Sequence, residues 1–430
     1  MMTMMIFNLE NYTTFKQQLL AWANRAGSCA FLDSHHYNDA YHKYDCIVGS
    51  DVTDSFQMQA GNALDQLKDW LKQNTGKWIF GHLGYGLKKE TEQILTTNPD
   101  FNNFPDLYFF IPETVIKLNS NTVEIITQND HNPRDVFNAI LNTRFHSFPL
   151  PEAQVKSRVS KADYLQAIHK VKQHILRGDC YELNYCQEYY AEDYTANPID
   201  IYIRLQQKSP TPFGCFYKVD NNYLLCASPE RYVQKTGNTI ISQPIKGTEP
   251  RNKQSEILDK QQIELLKNSA KNQAENVMVV DLVRNDFSKI CNEGSVHVSE
   301  LFGIYSFPQV HQMISTVKGE IDSELTIADI AKVTFPMGSM TGAPKKRVLQ
   351  IIDDLEPTAR NIYSGTVGYI SPNNDFDFNV VIRSIIYNTE TRYLSYFVGG
   401  GITWNSIAEE EYTECMHKAA AIVGILTNKN

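Results

Sequence analysis

Near its C-terminal end the chain carries three runs rich in β-branched and aromatic residues, Tyr363 to Ile370, Val380 to Tyr387 and Tyr393 to Val398, joined by short loops. Strands connected that way pair antiparallel, because a parallel pair needs a long crossover. Further strand signals lie at Tyr223 to Ala227 and Thr239 to Ile245. Helical periodicity is interleaved with them at unequal lengths. Ser160-Lys161-Ala162-Asp163 caps an amphipathic run through Tyr164, Ile168, Val171 and Leu176 that Gly178 closes. A helical zone follows from about Gln254 to Lys289, another behind Pro344, which suits a first helical position, and a last one from Ser406 to Leu426. The pattern predicts an α+β body rather than a regular parallel sheet.

The first part reads as mixed: helices near Phe15 to Arg25 and Ala63 to Gln73, strands at Cys29 to Leu32, Lys77 to Phe80 and Asp106 to Phe110. The strip from Phe145 to Ser160, with Pro149 and Pro151, is the linker candidate, dividing the chain into residues 1–150 and 151–430. A net charge of -9 argues against a nucleic-acid footprint. No run of 18 apolar residues occurs and the first ten residues lack a basic n-region, so a cytoplasmic protein without a membrane span is expected. Eight cysteines without any C-x-x-C pair read as reduced core thiols.

Chemistry concentrates in a few places. Lys246 stands between Ile245 and Gly247 at the end of the apolar strand Thr239-Ile240-Ile241, where burial would lower its pKa and make it a nucleophile, and Gly247 would let a ligand or backbone approach. A solvated strand-end lysine is the alternative. Glu230 follows Ser228-Pro229 at the end of Leu224-Leu225-Cys226; a desolvated carboxyl there is a general acid, and an ion pair with Arg231 is the alternative. Glu275 is expected to head the helix through Val279 and Val283, and Glu411 and Glu414 share a face of the last helix. Such oxygen donors suit Mg²⁺, although the latter pair also fits a solvated acidic face. Gly399-Gly400-Gly401 and the loop Gly338-Ser339-Met340-Thr341-Gly342 offer backbone N–H groups to a carboxylate, or mark bulges and turns.

Taken in order, Ala227-Ser228-Pro229-Glu230-Arg231, Pro244-Ile245-Lys246-Gly247-Thr248, Ala274-Glu275-Asn276, Asp281-Leu282-Val283-Arg284-Asn285-Asp286, the loop from Gly338 to Lys345, Ser364-Gly365-Thr366-Val367-Gly368-Tyr369 and the glycine triplet make the stretch from Ser160 to Ala421 resemble the aminodeoxychorismate synthase component I family of chorismate-utilising enzymes. Anthranilate and isochorismate synthases share the frame but as a rule carry a small or apolar residue at the place of Lys246. The resemblance implies a large sandwich of two antiparallel β-sheets flanked by helices, with both sequence regions in one body. It implies conversion of chorismate and ammonia to 4-amino-4-deoxychorismate, with Lys246 as covalent nucleophile and Glu230 as acid. Mg²⁺ would be held by Glu275 and Glu414, with Glu411 as an accessory ligand. Tyr369 and Arg383 would bind the pyruvyl carboxylate, and Thr248, Gln312, Thr341, Gly342, Gly399, Gly400 and Gly401 would complete the substrate site. No cysteine elbow of a glutaminase is present, so ammonia would come from a separate glutamine amidotransferase subunit or from solution. Anthranilate synthase, isochorismate synthase and a non-catalytic regulatory relative are the competing readings.

Two segments depart from the family's pattern. Where many relatives have a histidine before two apolar residues and a serine, this chain has Gln312, with His311 displaced by one; on a strand that offset turns the side chain to the other face. Ser34, Tyr41, His42, Lys43, Tyr44, Pro212, Phe213 and Gly214 resemble the family's tryptophan pocket, with Lys43 in place of an arginine and a Pro-Phe-Gly segment unlike the feedback-regulated form. The resemblance leaves room for bound tryptophan there, and less for regulation.

Overall fold

A computed structural model describes residues 3–37, 40–128 and 131–427. In chain order the strands are β1 (Thr3–Asn8), β2 (Ser28–Asp33), β3 (Cys46–Met58), β4 (Ile79–Leu83), β5 (Leu107–Asn119), β6 (Thr122–Thr127), β7 (Lys156–Ser157), β8 (Glu182–Ala191), β9 (Phe213–Val219), β10 (Asn222–Ser228), β11 (Arg231–Thr236), β12 (Thr239–Gln243), β13 (Ile245–Pro250), β14 (His297–Ser306), β15 (Val310–Glu320), β16 (Gly342–Ala343), β17 (Thr366–Ile370), β18 (Phe376–Asn379), β19 (Ser384–Asn388) and β20 (Tyr393–Ile402). The helices are α1 (Tyr12–Ala23), α2 (Ala63–Gln73), α3 (Lys88–Thr91), α4 (Pro133–Leu141), α5 (Lys161–Leu176), α6 (Pro198–Lys208), α7 (Glu256–Lys267), α8 (Ala270–Phe287), α9 (Ile327–Thr334), α10 (Lys345–Leu355) and α11 (Ala408–Leu426).

Every strand pairing is antiparallel, and β5 divides the network in two. Along its whole length β5 pairs with β3, from which one sheet continues through β2, β9, β10, β19, β20 and β8. On its other edge Leu107 to Phe110 pair with β4, from which a second sheet continues through β17, β18, β11, β12, β15 and β14. The two sheets of the expected sandwich are thus one continuous hydrogen-bonded surface folded at β5. Strands from either side of residue 150 pair directly, β2 with β9 and β4 with β17.

Two apolar layers follow from alternation along these strands. Between the sheets, Ala30, Tyr217, Leu224 and Phe397 of the first meet Val233, Ile240, Val317 and Phe378 of the second. On the outer face of the first sheet, Phe31, Phe216 and Leu225 pack beneath Leu19 of α1, Ile168 of α5, Leu205 of α6 and Ile422 of α11. Local chemistry starts the helices where expected: Ser160 accepts from the Asp163 N–H to cap α5. Seven of the eight cysteines are buried and all are unpaired. No helix among the described residues is long and apolar enough to cross a membrane.

Other expectations are corrected by particular residues. Pro244, which has no N–H to give a ladder, divides the stretch read as one strand into β12 and β13. The zone from Gln254 to Lys289 is two helices, because Ser269 leaves helical geometry and caps α8 by accepting from the Asn272 N–H. Glu275 therefore lies in the second turn of α8 instead of heading a helix. Pro344 is the N-cap of α10, with φ -71° and ψ 137°, and Lys345 is the first helical residue.

Candidate active site

Lys246 owes its position to a β-bulge. In the ladder between β13 and β15, Ile245 faces Ile314 and Thr248 faces Gln312, so Lys246 and Gly247 together oppose Met313. The extra residue re-aims the lysine. Gly247 takes φ +94°, and a Cβ there would lie 3.0 Å from Asn272 of α8, which accounts for the glycine by conformation and by packing. The lysine side chain is 12% exposed, and its Nζ donates to Glu182 Oε1 at 2.5 Å. The expected fall in its pKa is not what the site produces. Burial alone would lower it, but Glu182, Glu275 and Glu230 together hold the ammonium well above the usual lysine range. Lys246 rests as a charged group.

Glu230 sits in the corner between β10 and β11, 4% exposed. Burial pushes its carboxyl up to about 7, against the opposing pull of the nearby Ser339 hydroxyl, Lys246, the Ile245 backbone and Arg383. Arg231 is turned to Asp377, with Nε 2.9 Å from Oδ1. Arg383 is half-buried, has φ +51°, and among the described residues forms no ion pair. Burial holds its pKa below the usual range, and the groups that oppose this are Glu230 and Tyr363. Tyr369 does not join it. That ring packs against Tyr44 and Trp78, centroids 5.8 and 6.0 Å away, in the tryptophan-pocket region. The tyrosine beside Arg383 is Tyr363, buried and stacked on Phe397 at 5.0 Å. Tyr369 belongs to β17, between β4 and β18, whereas Tyr363 precedes that strand.

The three glutamates of the expected metal site face one region around two lysines. Lys271 Nζ is 4.0 Å from Glu275 Oε1 and 3.8 Å from Glu411 Oε1. Lys418 Nζ is 2.7 Å from Glu414 Oε1 and donates to the Gly399 carbonyl at 3.1 Å. As placed, no three carboxylate, imidazole or thiolate groups among the described residues stand close enough to hold a metal ion. The donors are nonetheless those a hard cation takes. Glu275 Oε1 and Glu182 Oε2 are buried without a hydrogen-bond partner. Burial raises the carboxyls of Glu275 and Glu411, whereas Lys418 lowers that of Glu414. Lys418 pairs with Glu414, while Lys271 stands at 3.8 to 4.0 Å from Glu411 and Glu275.

The remaining candidates divide between scaffold and site. Thr341 is fully buried, and its hydroxyl donates to the Met337 carbonyl at 3.2 Å. Gly342, at φ +143°, lets the loop close on the backbone of Glu182 in β8. These two build the wall behind the Lys246 partner. Gly399, Gly400 and Gly401 continue β20 against β8, and beyond Tyr396 the other edge of β20 has no partner strand among the described residues. Gly401 stands next to the Lys246 ammonium, whereas Gly400 faces Glu411 and Lys418. Thr248 is exposed. Gln312, on the same face of the ladder, is 1% exposed with an unpartnered Oε1. His311 points the other way, its Nε2 3.0 Å from Asp259 Oδ1 and its Nδ1 2.7 Å from Ser306 Oγ.

Ser34, His42, Lys43, Tyr44, Pro212, Phe213 and Gly214 line one cavity, together with Tyr369 and Arg231. Tyr41 is close by, its ring 5.8 Å from the Arg231 guanidinium and its carbonyl accepting from Gln234 at 2.9 Å. Lys43 is paired to Asp375 at 3.1 Å. Glu182, Tyr363, Lys271 and Lys418 are the site residues that sequence reasoning missed, and Ser339 was read only as part of the loop from Gly338 to Gly342. Only Glu182 left a signal, an acid opening the strand-like stretch Leu183-Asn184-Tyr185-Cys186, and a buried acid requires a partner.

The family described as chorismate binding enzyme matches residues 27–424. Aminodeoxychorismate synthase component 1 of Escherichia coli is 34% identical over 348 residues, spanning 80% of this chain and 75% of that protein. A probable chloroplastic aminodeoxychorismate synthase of Oryza sativa is 32% identical over 426 residues, spanning 88% of this chain; the chain covers about half of that relative, 47%. Among solved structures, anthranilate synthase component I of Streptococcus pneumoniae superposes with a TM-score of 0.78 at 25% identity, over 90% of this chain and 93% of that one. The menaquinone-specific isochorismate synthase of Escherichia coli superposes with a TM-score of 0.80 at 16% identity, over 99% and 94%, which shows the shared fold.

Proposed function

Since the chain belongs to the chorismate binding enzyme family, we propose that it converts chorismate and ammonia to 4-amino-4-deoxychorismate, the precursor of p-aminobenzoate. The observation that carries this reading is Lys246, bulged out of β13 into a buried site beside Glu230. The resemblance puts a small or apolar residue at this place in anthranilate and isochorismate synthases, which is why the lysine favours the aminodeoxychorismate reading.

In the proposed reaction Nζ of Lys246 attacks C2 of the ring. The ring double bonds shift, and the C4 hydroxyl leaves as water with a proton from Glu230, whose carboxyl near 7 is half protonated at neutral pH. Ammonia then adds at C4, the double bonds shift back, and Lys246 is expelled. Glu230 takes up the extra proton of the new amine and is reset. Arg383, a fork without an ion pair among the described residues, would take the pyruvyl carboxylate with Tyr363 beside it. Glu275 and Glu414, with Glu411 behind them, would hold Mg²⁺. When bound, the ion would neutralise the ring carboxylate and the clustered glutamates. The name component 1 of the Escherichia coli relative supports a second component, which in this reading would be a glutamine amidotransferase subunit supplying ammonia. The cavity around Tyr44, Pro212 and Tyr369 would hold tryptophan as a structural ligand.

The test is to incubate the purified chain with chorismate, Mg²⁺ and ammonium, with and without a lyase that releases p-aminobenzoate. Formation of p-aminobenzoate only when the lyase is present supports the reading. Anthranilate or isochorismate as the product overturns it.

A further inference from the structure

A lysine that attacks carbon must first be neutral, and Lys246 rests charged. Something has to take its proton without leaving the buried site. Glu230 is committed to the opposite task, because it must hold a proton to release the C4 hydroxyl. Glu275 and Glu414 are the proposed cation ligands, and a carboxylate bound to a metal is a poor base. Glu182 remains. Its Oε1 is 2.5 Å from Nζ, and its side chain is 4% exposed. Its Oε2 is buried with no hydrogen-bond partner among the described residues. Among the described residues the lysine is therefore the only hydrogen-bond donor to this carboxylate, and a proton passed between them leaves no other donor without its acceptor. The surroundings are shaped around this pair. Gly342 lets the loop before α10 close on the Glu182 backbone, and Gly401 leaves room on β20 where a side chain would collide with both groups.

We propose that Glu182 is a catalytic base of the covalent step, taking the proton of Lys246 as chorismate binds and returning it when the lysine is expelled. This rests on the reading of Lys246 as nucleophile. In the first half the Nζ–H bond breaks, the Glu182 O–H bond forms, and the neutral amine bonds to C2 as the C4–O bond breaks. In the second half ammonia bonds to C4, the C2–Nζ bond breaks, and the departing amine recovers its proton from Glu182. Protons and charge balance over the cycle with no external donor.

The test uses Glu182→Gln, which keeps shape and a hydrogen-bond acceptor but not the base, with Glu182→Asp as the variant that keeps the carboxylate. Chorismate is added without ammonia, and the lysine adduct is followed by quenched intact-mass measurement from pH 6 to 9.5. The Gln variant should form the adduct about 10² slower than wild type near pH 7 and gain roughly tenfold per pH unit toward alkali, where solvent removes the proton instead. The Asp variant should restore part of the neutral-pH rate. Equal rates and equal pH profiles for wild type and Glu182→Gln would overturn the role of Glu182. An absent adduct in wild type would instead overturn Lys246 as nucleophile. A second arm decides Glu182 independently, by reductive methylation of Lys246 read by peptide mass across the same pH range. The onset of labelling should move down by at least about one pH unit in Glu182→Gln, because a buried ammonium has lost its counter-charge. An unmoved onset would show that the two groups share no proton and would sink the proposal.

Discussion

Gly401 of β20 leaves the space that the Lys246 ammonium occupies: a Cβ at position 401 would lie 2.6 Å from Nζ and would also overlap Glu182 Oε1. The neighbouring Gly400 is different. A Cβ there would meet Glu411 and Lys418 at 3.5 and 3.6 Å, ordinary contact distances. Gly401→Ala should therefore displace the lysine and lower kcat/KM by about 10², since a shift of about 1 Å in a reacting group has that effect. Gly400→Ala should stay within a few-fold. Both should unfold within a few degrees of wild type in calorimetry, because neither glycine is among the residues with positive φ. Equal activity of the two alanine variants would refute the placement of Lys246.

Glu230 ties activity to stability. Its carboxyl is raised from 4.5 to about 7 by burial, so between those values the folded state binds a proton that the unfolded state has released. Stability is undiminished below about pH 4.5 and falls as pH rises through about 7, by about 3 kcal/mol in total. Glu230→Gln removes that loss. Its unfolding midpoint should exceed that of wild type by more at pH 9 than at pH 6, while turnover drops by about 10²–10⁴. Wild-type kcat should decline above about pH 7 as the acid is lost. A midpoint difference independent of pH would show that Glu230 is solvated.

What was legible in the sequence follows the range of the forces involved. Short loops, alternation and caps act locally, so the antiparallel strands of an α+β body and the Ser160 cap could be read directly, whereas the sandwich came only from the family resemblance. Lys246 and Glu230 stood out at the ends of apolar strands, but the family resemblance, not that placement, singled them out as candidate nucleophile and acid. Glu182 did not stand out, since its partner lies 64 residues away and meets it only through the pairing of β8 with β20 and the bulge in β13. The same limit misplaced Tyr369. Its counterpart beside Arg383 is Tyr363, six residues earlier, and the assignment depends on where β17 begins. The sign of the Lys246 shift failed for a related reason: burial was visible in the sequence, but the three surrounding carboxylates were not.

The carboxylates around Lys271 give a binding prediction that needs no turnover. If Glu275 is a ligand, Glu275→Gln should weaken Mg²⁺ binding by about tenfold or more in calorimetry without substrate. Lys271→Met should tighten it, because an ammonium within 4.0 Å of Glu275 and 3.8 Å of Glu411 competes for the same charge. Mg²⁺ affinity unchanged by both substitutions would place the ion elsewhere.

The cavity bounded by Tyr44, Phe213 and Tyr369 lies apart from Lys246 in its lining. Added tryptophan should raise the unfolding midpoint, as any ligand selective for the folded state does, and leave kcat unchanged. Inhibition by tryptophan would mean that the pocket regulates.

His311 and Gln312 are adjacent on β15 yet answer to different neighbours, and their substitutions should separate cleanly. The imidazole of His311 has no exposed surface and is held between Asp259 and Ser306 on the side of α7. Asp259 is itself held by Arg251, Nη2 to Oδ2 at 2.6 Å. His311→Ala empties that space and removes a partner from both groups, so it should cost about 2–4 kcal/mol of stability. The product should be unchanged and kcat within a few-fold. Gln312 faces the opposite side of the ladder, level with Thr248, with a buried Oε1 that nothing satisfies. Gln312→His exchanges one neutral donor for another and should alter the rate modestly, because Glu230 already supplies the acid. The measurement is kcat and the denaturation midpoint for both variants alongside Glu230→Gln. A loss of turnover from His311→Ala as large as that from Glu230→Gln would make His311 the acid, and would require β15 to slip by one residue against β13.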